Sequence, residues 1–245
     1  MSDLSIRLRE ETQNAHTLAE NTVFMKCATK GVVEREPLRK LFANLYFVYS
    51  TLEAALKRKD NPILHAIYFP ALNRTEALAS DLEFYYGENW RSQITASEAG
   101  LCYVDRIQTL ANTNPALLIA HSYTRYMGDL SGGQHLKNVI RVTLSLPPNQ
   151  GTQFYEFDQI ATPEARRSFK EQYRQALDSL SLTSLEIEQI VAEANSAFGL
   201  NRDVLHELET DVRTAIDPQT LNLLIQYDRP GSTAHSTPRE SVLQQ

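Results

Sequence analysis

One twelve-residue stretch breaks the rules of the element around it. Tyr123-Thr124-Arg125-Tyr126-Met127-Gly128-Asp129-Leu130-Ser131-Gly132-Gly133-Gln134 lies in a region of helical apolar spacing, yet it holds three of the nine glycines of the chain. Each costs about 1 kcal/mol relative to alanine inside a helix, so something must offset them. Gly128 and Gly132 share a face at i, i+4, where a flat ligand or another helix can reach the backbone and a kink is allowed. Close helix packing, or two helices joined by a glycine turn, accounts for the glycines as well. The polar residues Arg125, Asp129 and Ser131, set between apolar flanks, favour ordered water or a polar ligand beside the gap.

The six histidines are His16, His65, His121, His135, His206 and His235. None follows a glutamate by three positions and no His-Glu-x-x-His occurs, which argues against a di-iron bundle or a zinc protease. A lone helical histidine is more often structural than a ligand. His16 differs in having Glu20 one turn on, where a carboxylate fixes the tautomer and orientation of a ligating ring. A basic set, Arg9 with Lys170 and Arg174, suits bidentate pairing with two carboxylates if the fold gathers it.

The positioning elements read as helices. Leu4, Leu8, Thr12, Ala15, Ala19, Val23 and Cys27 lie on one face of a first helix that His16 borders. Pro37 suits the first turn of a second, carrying Leu38 to Leu56. A Pro-bounded link runs from Pro62 to Pro70. Asn73 with Glu76 reads as a capping box for a helix that Gly87 stops, and a further helix covers Ser97 to Leu110. Asn114-Pro115 opens the long glycine-bearing element, which runs to about Leu146. Thr162-Pro163 and the capping box Thr183/Glu186 open two more helices. No β-type alternation of useful length and no repeat occurs, so the expectation is one all-α domain of about eight helices over 1–227. The Pro, Gly, Ser, Thr and charge of 228–245 read as a disordered tail.

Composition agrees. Nine glycines and ten prolines in 245 residues favour long uninterrupted elements. A hydrophobic content of 42% supports a soluble globular core, and a net charge of −6 without a basic cluster argues against nucleic acid. Cys27 and Cys102 have no metal-ligand or disulfide spacing, which fits a reducing, cytoplasmic setting. The N-terminus lacks a signal-type apolar core, and no run approaches the length of a membrane span.

The chain resembles the haem oxygenases from about Leu4 to about Val212, most nearly the soluble cyanobacterial and plastid members. Five segments carry the resemblance, in the family's order: Ala15-His16-Thr17 with Ala19-Glu20-Asn21, Asn44-Leu45-Tyr46-Phe47-Val48-Tyr49, the run from Tyr123 to Gln134, Phe169-Lys170 with Tyr173-Arg174, and Ala197-Phe198-Gly199-Leu200-Asn201. The resemblance implies haem b, both cofactor and substrate, held between a proximal helix and a glycine-kinked distal helix. It makes His16 the iron ligand, Glu20 its partner, and the backbone around Gly128 and Gly132 the distal wall. Asp129 then holds a distal water network that includes Arg125 and Tyr49. Arg9, Tyr123, Lys170 and Arg174 match propionate positions, and Phe198 and Asn201 line the pocket. Arg9 stands where lysine is commoner, and Leu205 where animal members have phenylalanine.

The implied reaction opens haem at one meso carbon to biliverdin, carbon monoxide and ferrous iron, using dioxygen and reducing equivalents from ferredoxin or a similar acidic donor. Bilin pigment synthesis is the implied purpose. A neutral histidine lacks the electron push of a thiolate, and a wall of glycine backbone and water puts no imidazole or arginine directly on bound oxygen, so the ring edge is attacked before early O–O cleavage. A non-catalytic haem carrier or gas sensor would share His16 and the basic anchors but return haem intact. A helical protein acting on a pyrimidine, or a scaffold, would not bind haem.

Overall fold

The computed structural model describes residues 2–58 and 61–232. Among the described residues there are thirteen α-helices, several 3-10 turns and no strand, so the all-α expectation holds with more helices than expected. The expected first helix is three: α1 (Leu4–Glu11), α2 (Gln13–Glu20) and α3 (Val23–Thr29). Short polar side chains interrupt it by bonding to nearby backbone. The Thr12 hydroxyl donates to the Leu8 carbonyl at 2.6 Å, the Asn21 amide donates to that of Thr17 at 3.0 Å, and the Thr22 hydroxyl caps α3 by accepting from the Met25 N–H.

The next helix, α4 (Arg35–Leu56), carries Pro37 in its first turn. The expected link after it contains α5 (Pro62–Ile67), because the Asn61 side chain accepts from the Ile63 and Leu64 N–H groups and Pro62 occupies the first turn. The expected Asn73/Glu76 capping box does not form at α6 (Thr75–Tyr86). Buried Glu53, from the last turn of α4, takes that place by accepting from the backbone N–H of Arg74, from the Thr75 N–H at 3.2 Å and from the Thr75 hydroxyl at 2.7 Å. Next come α7 (Glu98–Thr113), α8 (Leu118–Asp129) and α9 (Gly132–Thr143). The expected single kinked element is thus two helices, separated at Leu130 and Ser131, where Ser131 leaves helical geometry at φ −112°, ψ −91°.

Thr162 and Pro163 open α10 (Pro163–Asp178), and the Thr183/Glu186 capping box forms in full at α11 (Ser184–Glu207). The last two helices are α12 (Glu209–Ala215) and α13 (Pro218–Ile225). The long helices organise the rest: α4 packs on α6 and α7, while α11 packs on α2, α7 and α8 and so bridges the two sides of the site. Trp90, Tyr49, Tyr103, Tyr173, Phe24, Phe42 and Phe154 are fully buried. Each contributes roughly 1.5–3 kcal/mol or more of burial free energy.

The irregular chain between α9 and α10 is pinned to α6. Asp81 accepts from the Gln153 and Phe154 N–H groups at 2.8 Å each, and the Arg74 guanidinium donates to the carbonyls of Phe154 and Glu156. That segment sets the Tyr155 ring against Gly133, where an added Cβ would lie 3.1 Å from it. Among the described residues no helix is long and apolar enough to cross a membrane.

Residues 228–232, the start of the expected tail, lie along α2 and α3. Asp228 pairs with buried Lys26 at 2.6 Å, and Asn21 bonds both backbone groups of Arg229. Local composition missed this contact because its partners are about two hundred residues away in sequence. Residues 233–245, including His235, lie outside the described residues.

Candidate functional site

Two of the interruptions described above shape the site. Short α2 presents His16 at its middle, and the break between α8 and α9 leaves Gly128 and Gly132 with open space where a Cβ would stand, nothing lying within 4 Å. Gly199 on α11 is equally open. By contrast a Cβ on Gly100 would lie 2.2 Å from the Asn44 side chain, so that glycine serves close packing. The glycine cluster therefore divides: Gly133 packs against Tyr155, while Gly128 and Gly132 border free volume.

His16 retains 23% side-chain exposure, and its Nδ1 is buried without a hydrogen-bond partner, 3.6 Å from Oε2 of Glu20. The Phe198 ring meets the imidazole edge-on, centroids 5.3 Å apart, and fixes its tilt. One helical turn further along α11, Asn201 accepts from the Arg125 guanidinium on α8. A single face of α11 thus touches the histidine on one side and a polar network on the other.

That network is buried. The Tyr49 hydroxyl on α4 donates to Oδ2 of Asp129, the Arg125 Nε donates to the Tyr49 oxygen at 3.0 Å, and an Arg125 terminal nitrogen lies 3.8 Å from Oδ1 of Asp129. Burial pushes the Asp129 carboxyl up, with Arg125 and Tyr49 pulling against it. Burial also holds the Tyr49 phenol well above its ordinary range. For Arg125 burial opposes the charge, but Tyr49 and Asp129 outweigh it and keep the guanidinium charged. The cluster therefore contains one fixed cation, a protonated phenol and a carboxyl shifted toward its neutral form, an arrangement suited to holding or passing a proton.

The basic set gathers as well. Burial raises the Tyr123 phenol, and the charges of Arg174 and Arg9 lower it, so both arginines are within electrostatic reach of Tyr123. Lys170 donates to the Ser131 hydroxyl at 3.2 Å, at the break between α8 and α9. Burial lowers its ammonium, and Arg174, Arg166 and Arg167 lower it further. Arg166 and Arg167 add to the expected basic set. Their signal was the spacing 166, 167, 170, 174, which puts like charge along one side of α10.

The residues present fit a haem. A half-buried histidine with one shielded ring nitrogen, glycine backbone bordering free volume, and arginines in electrostatic reach of a tyrosine would suit its iron, its flat ring and its acidic side groups.

A family model described as "Heme oxygenase" matches residues 2–207. "Heme oxygenase 2" of Synechocystis sp. strain PCC 6803 is 57% identical over 239 residues, covering 97% of this chain and 96% of that protein. The crystal structure of heme oxygenase-2 from the same organism, in complex with heme and NO, superposes with a TM-score of 0.93 and covers 95% of this chain and 96% of that one. That of Synechocystis heme oxygenase-1 in complex with heme gives a TM-score of 0.84 at 49% identity, covering 91% and 99% of the two chains.

Proposed function

The chain belongs to the haem oxygenase family, and from that premise we propose that it opens haem b at one meso carbon, with dioxygen and reducing equivalents, to biliverdin, carbon monoxide and ferrous iron. The observation that carries this reading is the α11 face that joins His16, through Phe198, to the buried Asp129–Arg125–Tyr49 cluster, through Asn201. When bound, haem supplies both the iron that activates dioxygen and the ring that is cleaved.

His16 is the iron ligand in this reading. Its shielded Nδ1 faces Glu20, which selects the tautomer with Nε2 free to ligate. Gly128 and Gly132 let the ring lie against backbone. Phe198 and Asn201 line the pocket between the two sides. Arg9, Tyr123, Lys170 and Arg174 take the two propionates, and because anchoring sets which ring edge faces the distal side, these residues also govern which meso carbon is opened. Asp129 holds a distal water, Tyr49 and Arg125 fix the orientation of its carboxylate, and the proton is delivered from the Asp129 side of the cluster.

The electron donor in this reading is a ferredoxin-like acidic carrier in the cytoplasm, and the product serves bilin pigment synthesis. Arg166, Arg167, Lys170 and Arg174 form a positive rim despite the net charge of −6. Docking on it is screened over about 8 Å at physiological salt. Turnover with an acidic carrier therefore falls steeply with ionic strength, while turnover with a small neutral reductant stays level; parallel curves contradict the docking.

The test of the ligand assignment is anaerobic haem titration of the parent and of His16→Ala. The parent gives a Soret band at one haem per chain. The variant still takes up haem, because burying roughly 400 Å² of apolar ring supplies on the order of 10 kcal/mol, but it loses the histidine-ligated spectrum until imidazole is added. An unchanged spectrum in the variant contradicts the assignment.

A further inference from the structure

The last described residues end on the site. Gly231 lies against Thr17, the neighbour of His16, so closely that an added Cβ would stand 2.0 Å from the Thr17 hydroxyl and 3.3 Å from its Cα. Ser232 follows and donates twice to Glu20: its backbone N–H to Oε2 at 2.8 Å and its hydroxyl to Oε1 at 2.5 Å. Upstream anchors hold this strand of chain in place. Asp228 neutralises the buried ammonium of Lys26 at 2.6 Å, and the Asn21 side chain receives the Arg229 N–H at 2.8 Å while giving its own to the Arg229 carbonyl at 3.0 Å.

We propose that residues 228–232 form a strap whose Ser232 is a positioning residue for the proximal ligand, clamping the Glu20 carboxylate beside Nδ1 of His16. The proposal rests on the reading of His16 as the iron ligand. Glu20 is the last residue of an eight-residue helix and its side chain is 31% exposed, so without a clamp it exchanges among rotamers and water. With both oxygens held from the strap side, the carboxylate keeps Oε2 turned toward the imidazole. A group that holds a ligand's partner acts on the ligand's basicity and orientation through that partner. One segment near the C-terminus thereby acts on the chemistry of a helix at the opposite end of the sequence.

The iron–histidine stretch of the ferrous haem complex, read by resonance Raman, tests this in the full chain, because it reports how strongly the Glu20 carboxylate acts on Nδ1 independently of turnover. Glu20→Ala shifts the band to lower wavenumber. Ser232→Ala, which loses the hydroxyl donor, and Gly231→Ala, which forces the strap off Thr17, shift it in the same direction and by less. Ser232→Thr keeps the donor and restores the parent position. Glu20→Ala/Ser232→Ala matches Glu20→Ala alone, because Ser232 acts only through Glu20. A parent-like band in both Ser232→Ala and Gly231→Ala, alongside a shifted band in Glu20→Ala, overturns the strap and leaves the ligand assignment standing. A further shift in the double variant overturns it too. Absence of the band from the parent overturns the ligand assignment and the strap with it.

Discussion

Of the three histidine–glutamate pairs among the described residues, two on the site's helices lie at different depths. His121 on α8 is fully buried and bonds Glu193 of α11 at 2.9 Å; His16 keeps 23% of its side chain exposed and stands 3.6 Å from Glu20. Judged by contact alone, the first pair is the better made. Glu193 also takes the Arg106 guanidinium at 2.9 Å, and the three groups tie α7, α8 and α11 together. Burial opposes the Glu193 charge, but His121 and Arg106 outweigh it and lower the carboxyl to about 2. The inner pair is closed off from any ligand by burial, although Nδ1 of His121, like that of His16, is buried without a hydrogen-bond partner. The outer pair is partly exposed, with Phe198 against the imidazole, and openness rather than strength of pairing marks a ligand.

The largest effect that separates the two belongs to their histidines. His16→Ala loses turnover outright while the fold stays intact, and imidazole restores part of it, as measured by biliverdin yield and thermal unfolding. His121→Ala does the reverse: the folded protein turns over near the parent rate and loses about 2–4 kcal/mol of stability, because a cavity and an under-bonded Glu193 are left behind. Equal turnover loss in both variants breaks the distinction.

Next in size is Asp129→Asn. This variant keeps the shape of the distal cluster and haem affinity but removes the ability to carry a proton, so biliverdin formation falls on the order of 10²-fold or more. A parent rate of biliverdin formation assigns Asp129 to the structural class of Glu193.

The Glu193 carboxyl gives a pH prediction. Its folded pKa lies below the ordinary value of 4.5, so its stabilisation is fully present above that pH and is lost as pH falls toward about 2. Across that window the parent loses about 3 kcal/mol of stability more than Glu193→Gln, which chemical denaturation at a series of pH values measures. Parallel curves contradict the lowered Glu193 carboxyl.

The smallest effect concerns the glycines. Gly100→Ala forces the Asn44 side chain aside and costs about 1–3 kcal/mol of stability with haem affinity unchanged. Gly128→Val, which meets open space, leaves the melting temperature of the haem-free protein near that of the parent and weakens haem binding instead. The opposite pattern would place the free volume at the wrong glycine.

The legible part of the sequence was local. The Thr183/Glu186 box, the Thr162-Pro163 start, the Gly87 stop at φ +85° and the i, i+4 pairing of His16 with Glu20 are written within a few residues and recur in the structure. The missed features depend on distant partners. Glu53 caps α6 across 21 positions, Asn44 receives the Ser97 N–H across 53, and Ser232 reaches Glu20 across 212. The three-way split of the first helix had a local cause, the Thr12, Asn21 and Thr22 side chains, but the apolar periodicity that continues past them concealed it. Convergence of Arg9 with Arg174 was open in the sequence, and in the fold the charges of both reach Tyr123.

The most direct test of the central claim is a single timed turnover. Haem-loaded protein is mixed aerobically with reductant, followed by absorbance, and the pigment is extracted with carbon monoxide captured from the headspace. The expected result is loss of the Soret band, with about one biliverdin and one carbon monoxide released per haem, both abolished in His16→Ala. Recovery of intact haem without carbon monoxide, under the same dioxygen and reductant, would contradict it and make the chain a carrier or sensor.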